Sequence, residues 1–298
     1  MKLVSFSTTN DRTPHLGCEH AGRIVDLPAL CAARGDALPE TMLDFVRAST
    51  TARTTAQAAL AATPAATLAR FSHSPDQVRL LAPIARPGKI LCSGINYHSH
   101  FTENPNAKLP TEPFFFAKMP SGVIGPDEPI LLPKRAPAAI DYEVEFAVVI
   151  GRRLTCATEA DIMPAVFGYT ILHDVSARDV QFKDSQITLG KNFDTFCPIG
   201  PCIVTADEIP DPAALGLRSR VNGELRQNGS NRDWVFSLPR LLSELSRVMT
   251  LEPGDIVSTG TPAGVGLFRH PPAYLRTGDV VELEIDGIGV LRNPVLSA

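Results

Sequence analysis

The sequence predicts an α+β fold dominated by strands, and three observations predict it. Beyond residue 78 the chain breaks into many short apolar runs separated by Gly and Pro. Asn222-Gly223 and Asp286-Gly287 each stand between alternating runs, a strong short-range hairpin signal. Between those hairpins lies one clear amphipathic helix, with Leu238, Leu241, Leu242, Leu245 and Val248 at helical spacing.

The elements follow in order. Short strands are expected at Leu3–Phe6, His15–Cys18 and Arg23–Leu27. Helical sequence follows at about 41–49 and 51–63, the second rich in alanine and stopped at Pro64. The polar Ser72-His-Ser-Pro-Asp76 interrupts the pattern, so residues 1–75 are expected to form a small α+β cap and 76–298 the main domain. Strands are then expected at Ile90–Cys92, Pro113–Ala117, Ile140–Ile150, Phe167–Val175 and Asp255–Val257. Prolines cluster between about 105 and 137, as in a long, well-ordered loop region. Phe146–Ile150 is apolar at every position, as in a strand covered on both faces. Ser237 is placed to cap the Leu238 helix, with Pro239 in its first turn, and that helix is scaffold. No internal repeat is visible.

Composition excludes several classes of function. The 298 residues are 44% hydrophobic and 20% charged, ordinary for a soluble globular protein. A net charge of −4 with no basic run argues against nucleic-acid or anionic-membrane partners. The N-terminus lacks the apolar stretch of a signal peptide, and no window approaches the ~18 apolar residues of a membrane span. Six scattered cysteines with no Cys-x-x-Cys pair read as small buried hydrophobes in a reducing cytoplasm.

The chemistry concentrates in a few stretches. Glu143 and Glu145, two apart on strand sequence, share a face, and Asp174 ends another apolar run. Buried carboxylates repel and lose hydration unless compensated, and a hard divalent cation cancels two charges at once. The alternative is a solvated acidic edge strand, against which the apolar flank argues. His100 and Glu103 are three apart, so one helical turn would pair them as an oriented general base. A surface turn is the plain alternative, and His98 reads as loop. Arg178 and Gln181 lie one turn beyond Asp174, and an arginine fork suits a substrate carboxylate. The alternative is an exposed Arg178–Asp179 pair. Lys191, amid aromatics, and Lys118, after an apolar strand, could supply positive charge to a developing enolate or could simply snorkel. The glycines of Ser258–Gly266 match no dinucleotide motif; the segment reads as a tight loop whose amides and Thr261 can approach a small ligand, or as a structural turn.

Together Gly-Ile-Asn-Tyr-His-Ser-His (94–100), Asp-Tyr-Glu-Val-Glu-Phe (141–146), Ser-Ala-Arg-Asp-Val-Gln (176–181), Gly-Lys-Asn-Phe-Asp-Thr (190–195) and Thr-Gly-Thr-Pro-Ala-Gly-Val-Gly (259–266) stand in a telling order. From about Pro87 onward the chain resembles the fumarylacetoacetate hydrolase family, with its acylpyruvate and fumarylpyruvate hydrolases and oxo-diacid isomerases. The resemblance implies a mixed β-roll around Mg²⁺ or Mn²⁺, usually in a homodimer. It implies that Glu143, Glu145 and Asp174 bind the metal. It further implies that His100 and Glu103 activate water on a segment that orders over substrate. Lys118, Lys191, Arg178, Gln181 and Thr261 would contact substrate or stabilise charge. The expected reaction is metal-dependent hydrolysis of a C–C bond in a small acylpyruvate, with Lys191 stabilising the departing enolate. The rivals are an isomerase, tautomerase or decarboxylase of a 2-oxo diacid such as an oxo-heptenedioate or oxaloacetate, and a non-catalytic oxo-acid binder.

Overall fold

The computed structural model describes residues 1–104, 108–134, 138–183 and 185–298. Alternating sequence near the N-terminus yields β1 (Lys2–Thr8), β2 (His15–His20) and β3 (Arg23–Asp26), then α1 (Leu27–Ala32). The two helices expected at 41–49 and 51–63 are one, α2 (Met42–Ala62), begun where the Thr41 side chain accepts from the Asp44 amide. No Gly or Pro interrupts it, and buried Ala52 and Ala56 carry its packing face through the Ser-Thr-Thr stretch. Short pieces follow: α3 (Ala65–Leu68), β4 (Ser72–His73) and β5 (Val78–Leu81).

Beyond these come β6 (Ile90–Ser93), α4 (His98–Glu103), β7 (Phe115–Lys118), β8 (Val123–Ile124), β9 (Ile130–Leu132) and β10 (Ile140–Asp141). Within the proline-rich stretch expected to be ordered loop, residues 105–107 and 135–137 lie outside the described residues, and β7, β8 and β9 run between them. Next are β11 (Val144–Ile150), α5 (Glu159–Ile162), β12 (Val166–His173), β13 (Ser176–Ala177), α6 (Arg178–Gln181), α7 (Thr188–Lys191) and β14 (Cys197–Thr205). The hairpin β15 (Gly216–Val221) to β16 (Glu224–Ser230) turns on Asn222 and Gly223 at φ of 54° and 79°, as a two-residue turn of this kind demands. Helix α8 (Leu238–Val248) starts where Ser237 accepts from the Arg240 amide. Its leucines are buried, whereas Val248, the last helical residue, is 81% exposed because the chain turns extended at Met249. Strands β17 (Ile256–Ser258), β18 (Val280–Ile285) and β19 (Gly289–Ser297) complete the fold.

The strands form an open 12-stranded sheet ordered β4-β3-β2-β1-β14-β12-β11-β17-β6-β7, with β5 on β1 and β8 on β14. A five-stranded sheet, β16-β15-β18-β19-β9, packs against it, and β10 pairs with β13. The first 75 residues join the large sheet through β1, whose Lys2 and Leu3 pair with Val204 and Ile203 of β14.

Strand β11 sits inside. Phe146, Val148 and Ile150 enter one core with Ile171 and Leu283, while Ala147 and Val149 enter a second with Leu172, Phe45 and Val46. The uninterrupted apolar run is thus a strand buried on both faces. Phe45 of α2 meets Phe167 edge-on, ring centroids 6.2 Å apart, so α2 covers one end of the second core. At the other end of that same face the side chains become carboxylates.

Candidate active site

The ladder between β11 and β12 sets the centre. Val144 pairs with His173 and Glu145 with Leu172, and the Asp174 amide donates to the Glu143 carbonyl at 3.1 Å. Glu143 and Asp174 therefore oppose each other just past the ladder's end, with Glu145 two residues along the same face. Each offers a carboxylate oxygen, and these lie within 4.8 Å of one another, all three residues buried.

Three cations face them. Lys118 Nζ donates to Asp174 Oδ1 at 2.5 Å and to the Lys191 carbonyl at 2.7 Å. Lys191 Nζ donates to Asp174 Oδ2 at 2.5 Å, Glu143 Oε2 at 2.9 Å and Ser176 Oγ at 2.7 Å, 5.0 Å from the centre of the Phe116 ring. Arg178 donates through Nη2 to Glu143 at 2.5 Å, through Nε to Asp141 at 2.9 Å and through Nη1 to Gln181 at 3.0 Å. Neither lysine snorkels and Arg178 is no surface residue, for all three are buried. Gly190 makes this approach possible: a Cβ there would fall 2.5 Å from Gln181 Cα, pushing α7 and its Lys191 away from α6.

The charges decide what the site can hold. Burial opposes the Glu143 charge, but Lys191 and Arg178 overcome it and hold this carboxyl far below its ordinary range. Glu145 moves the other way: burial first, then the neighbouring Asp174 and Glu143, push it well above. The Ser258 hydroxyl donates a short hydrogen bond to it. Four buried carboxylates (Asp141, Glu143, Glu145, Asp174) thus meet three cations, and Glu145 is the one without an ion pair among the described residues. An oxygen-only donor set short of one positive charge fits a hard divalent ion.

The predicted His–Glu pair is formed. On α4, His100 Nδ1 lies 2.7 Å from Glu103 Oε2, and Glu103 Oε1 accepts from the Gly264 amide at 2.8 Å. The helix is anchored further by the Ser99 amide, which donates to Asp233 at 2.8 Å. Exposed His98 only opens the helix. Glu143, Glu145, Arg178 and Lys191 face a cavity of about 230 Å³, whose walls include His100, Gln181 and Thr261. Glu103, Asp174 and Lys118 are not part of that lining: Glu103 bonds to His100, Asp174 to Lys191, and Lys118 to Asp174. Thr261 Oγ1 donates to the Val144 carbonyl and accepts from Gln227 Nε2, both at 2.8 Å.

Sequence reasoning passed over Asp141, Ser176, Ser258 and Gln227. Asp141 had a signal, since 141, 143 and 145 share strand parity. Its carboxylate gathers Arg178 Nε and the amides of Gly266 and Leu267, at 2.6 and 2.9 Å for the amides. Gln227 had none; a register shift between Ser219 and Arg220 in the β15–β16 ladder leaves Arg226 unpaired and turns Gln227 inward.

Residues 89–296 match the family model of the fumarylacetoacetate (FAA) hydrolase C-terminal domain. The chain belongs to the fumarylacetoacetate hydrolase family. Within the family it is similar to the mitochondrial oxaloacetate tautomerase fahd2 of Xenopus laevis, 44% identical over 300 residues, 99% of this chain and 90% of that one. It is also similar to oxaloacetate tautomerase YisK of Bacillus subtilis (strain 168), 45% identical over 230 residues, 76% of each. Among solved structures it is similar to maleylpyruvate hydrolase from Sphingobium sp. SYK-6 in complex with manganese (II) ion and pyruvate, with TM-score 0.80, 32% identity and 100% of both chains covered. The mixed, strand-rich fold is that of the fumarylacetoacetate hydrolase family. No described helix is long and apolar enough to cross a membrane.

Proposed function

We propose that this fumarylacetoacetate hydrolase family enzyme is a metal-dependent tautomerase interconverting the keto and enol forms of a small 2-oxo dicarboxylic acid, with oxaloacetate as the model substrate. The observation that carries this reading is the similarity to an oxaloacetate tautomerase along 99% of the chain. That similarity puts tautomerisation ahead of C–C hydrolysis, and the carboxylates, cations and base can serve proton transfer at carbon as well as hydrolysis.

Glu143, Glu145 and Asp174 would hold Mg²⁺ or Mn²⁺, which when bound supplies Lewis-acid polarisation of the 2-oxo group. Gln181, its carbonyl oxygen taken by Arg178, keeps its amide N–H groups to donate to a substrate carboxylate. Lys191, fixed by three acceptors, lowers the cost of negative charge developing on the substrate oxygen. With Nδ1–H directed to Glu103, His100 keeps its lone pair on Nε2 and takes the proton from the carbon beside the oxo group. Returning that proton to the oxygen gives the enol; returning it to carbon gives the keto acid. Glu103 stabilises the imidazolium in between.

Hydrolysis of an acylpyruvate is the second reading, supported by the intact His100–Glu103 pair, whose side chains are each 15% exposed and so reachable by water. The test is to supply enol-oxaloacetate with Mn²⁺ and follow loss of enol absorbance, with fumarylpyruvate and simple acylpyruvates in parallel. Accelerated ketonisation without carbon–carbon cleavage is expected. Release of pyruvate from an acylpyruvate, with ketonisation at the uncatalysed rate, would reverse the order of the two readings.

A further inference from the structure

The segment 264–276 has two sides. One serves the site: the Gly264 amide donates to Glu103, the Gly266 and Leu267 amides to Asp141, and the Phe268 ring centre lies 6.0 Å from that of His100. The other side lines a separate cavity of about 670 Å³, shared with Tyr142 and with Arg226 of β16.

Three arginines are among the residues that line this second cavity, Arg226, Arg269 and Arg276. Arg226 and Arg269 share one carboxylate, Glu224, at 3.0 and 3.7 Å, and Arg269 also donates to the Arg226 carbonyl at 3.2 Å. The Arg226 Nε is buried without a partner, and the Arg276 guanidinium has none among the described residues. The acid on the wall, Asp279, is already occupied by the Asn222 side-chain amide at 2.8 Å and the Arg276 backbone amide at 2.7 Å. Three cations against Glu224 and Asp279 leave one positive charge in a chain whose net charge is −4. Donors outnumber acceptors there. The Arg226 Nε–H is closed to water and so does not itself face the cavity; the donor fork left open there is that of the exposed Arg276.

We propose that this cavity binds a small doubly charged oxyanion, the acceptor that arginine forks engage through two parallel hydrogen bonds. A bound anion would tie Arg269 and Arg276 to Arg226 and so hold the 264–276 segment against β16. The amides that position Glu103 and Asp141 belong to that same segment. The ligand would therefore stabilise the docked form of the His100–Glu103 pair from behind. Binding does not depend on the tautomerase reading; only its catalytic consequence does.

The experiment uses the full chain treated with chelator, so that no metal-bound phosphate interferes, at ionic strength fixed with chloride. Inorganic phosphate is titrated by calorimetry, with malonate as the carboxylate arm, and hydrogen exchange is followed over 264–276. Saturable binding of phosphate, malonate or both, weakened about tenfold or more in Arg276→Ala and in Arg269→Ala, is expected. Arg276→Lys should recover part of the loss. Amides 264–267 should gain protection in the parent chain and not in Arg276→Ala. Melting temperatures of the variants within a degree or two of the parent exclude unfolding as the cause. Absence of saturable binding by either anion, or binding unchanged in both alanine variants, overturns the site. Binding that leaves exchange at 264–267 unaltered overturns the link to the catalytic pair. Enol turnover is not read, so failure of the tautomerase proposal leaves this result standing.

Discussion

Glu103 accepts the Gly264 amide at 2.8 Å on one carboxylate oxygen and keeps the other for His100 at 2.7 Å. One side chain thus ties helix α4 to the 258–266 loop and orients His100, the proposed base. Glu103→Gln retains an acceptor for Gly264 but removes the charge that steadies the imidazolium. We expect kcat to fall by about 10²-fold with KM within a few-fold, in the range of general-base losses. Glu103→Ala should lose the same rate and also speed amide exchange across α4. Equal exchange in the two variants would show that the Gly264 bond does not dock the helix.

Glu145 gives a prediction about pH. Burial, Asp174 and Glu143 raise its pKa in the folded protein above the ordinary carboxylate value of 4.5. Above that value the folded, metal-free protein binds a proton that the unfolded chain has lost, so stability falls as pH rises. Glu145→Gln imitates the neutral form and should flatten this part of the slope, leaving metal-free melting temperature unchanged or higher near neutral pH. Mn²⁺ at 100 times its Kd should stabilise the parent by about 2.7 kcal/mol and the variant by far less. Thermal melts across pH, with and without Mn²⁺, measure both.

Lys118 touches Asp174 and backbone carbonyls and does not line the cavity. Lys118→Met removes one partner of a buried pair and should destabilise the metal-free protein by about 3–5 kcal/mol. A divalent ion beside Asp174 would replace the lost charge. Denaturant unfolding should therefore show a smaller deficit with Mn²⁺ than with chelator.

Gln227 spends its whole hydrogen-bonding capacity at the site. Its oxygen accepts from the Val144 amide and from Ser219, each at 3.0 Å, and its nitrogen donates to Thr261 and to the Pro262 carbonyl, each at 2.8 Å. Because Val144 lies between Glu143 and Glu145, Gln227 fixes the backbone that aims both. Gln227→Ala leaves several buried groups unpaired and should cost about 3 kcal/mol. In the folded variant, calorimetry should find Mn²⁺ affinity reduced by about tenfold. Unaltered affinity would confine Gln227 to stability.

The parts of this site legible in the sequence are those set by one strand or one turn. Parity placed Glu143 beside Glu145, and spacing paired His100 with Glu103, because both depend only on local backbone geometry. The apolar run after Glu145 announced a strand covered on both faces, which β11 is. The union of 41–49 and 51–63 into α2 was hidden, since Ser and Thr weaken helical propensity and only packing of Ala52 and Ala56 overrides it. The bonds of Arg178 to Asp141 and of Gln227 to Val144 join residues far apart in the chain, and no local pattern marks them. The choice between hydrolysis and tautomerisation is equally invisible, because the same base and acids serve both.

The pairing of β1 with β14 has a consequence for anyone who would shorten this chain. Strand β14 touches β12 on one flank and receives Lys2 and Leu3 on the other. A fragment beginning at residue 76 would strip that second flank and also remove α2 from over Phe167. It would present bare backbone donors and acceptors beside an uncovered apolar face, the combination that recruits other chains edge to edge. Such a fragment would retain every side chain of the proposed catalytic cluster and still be expected to gather into insoluble material.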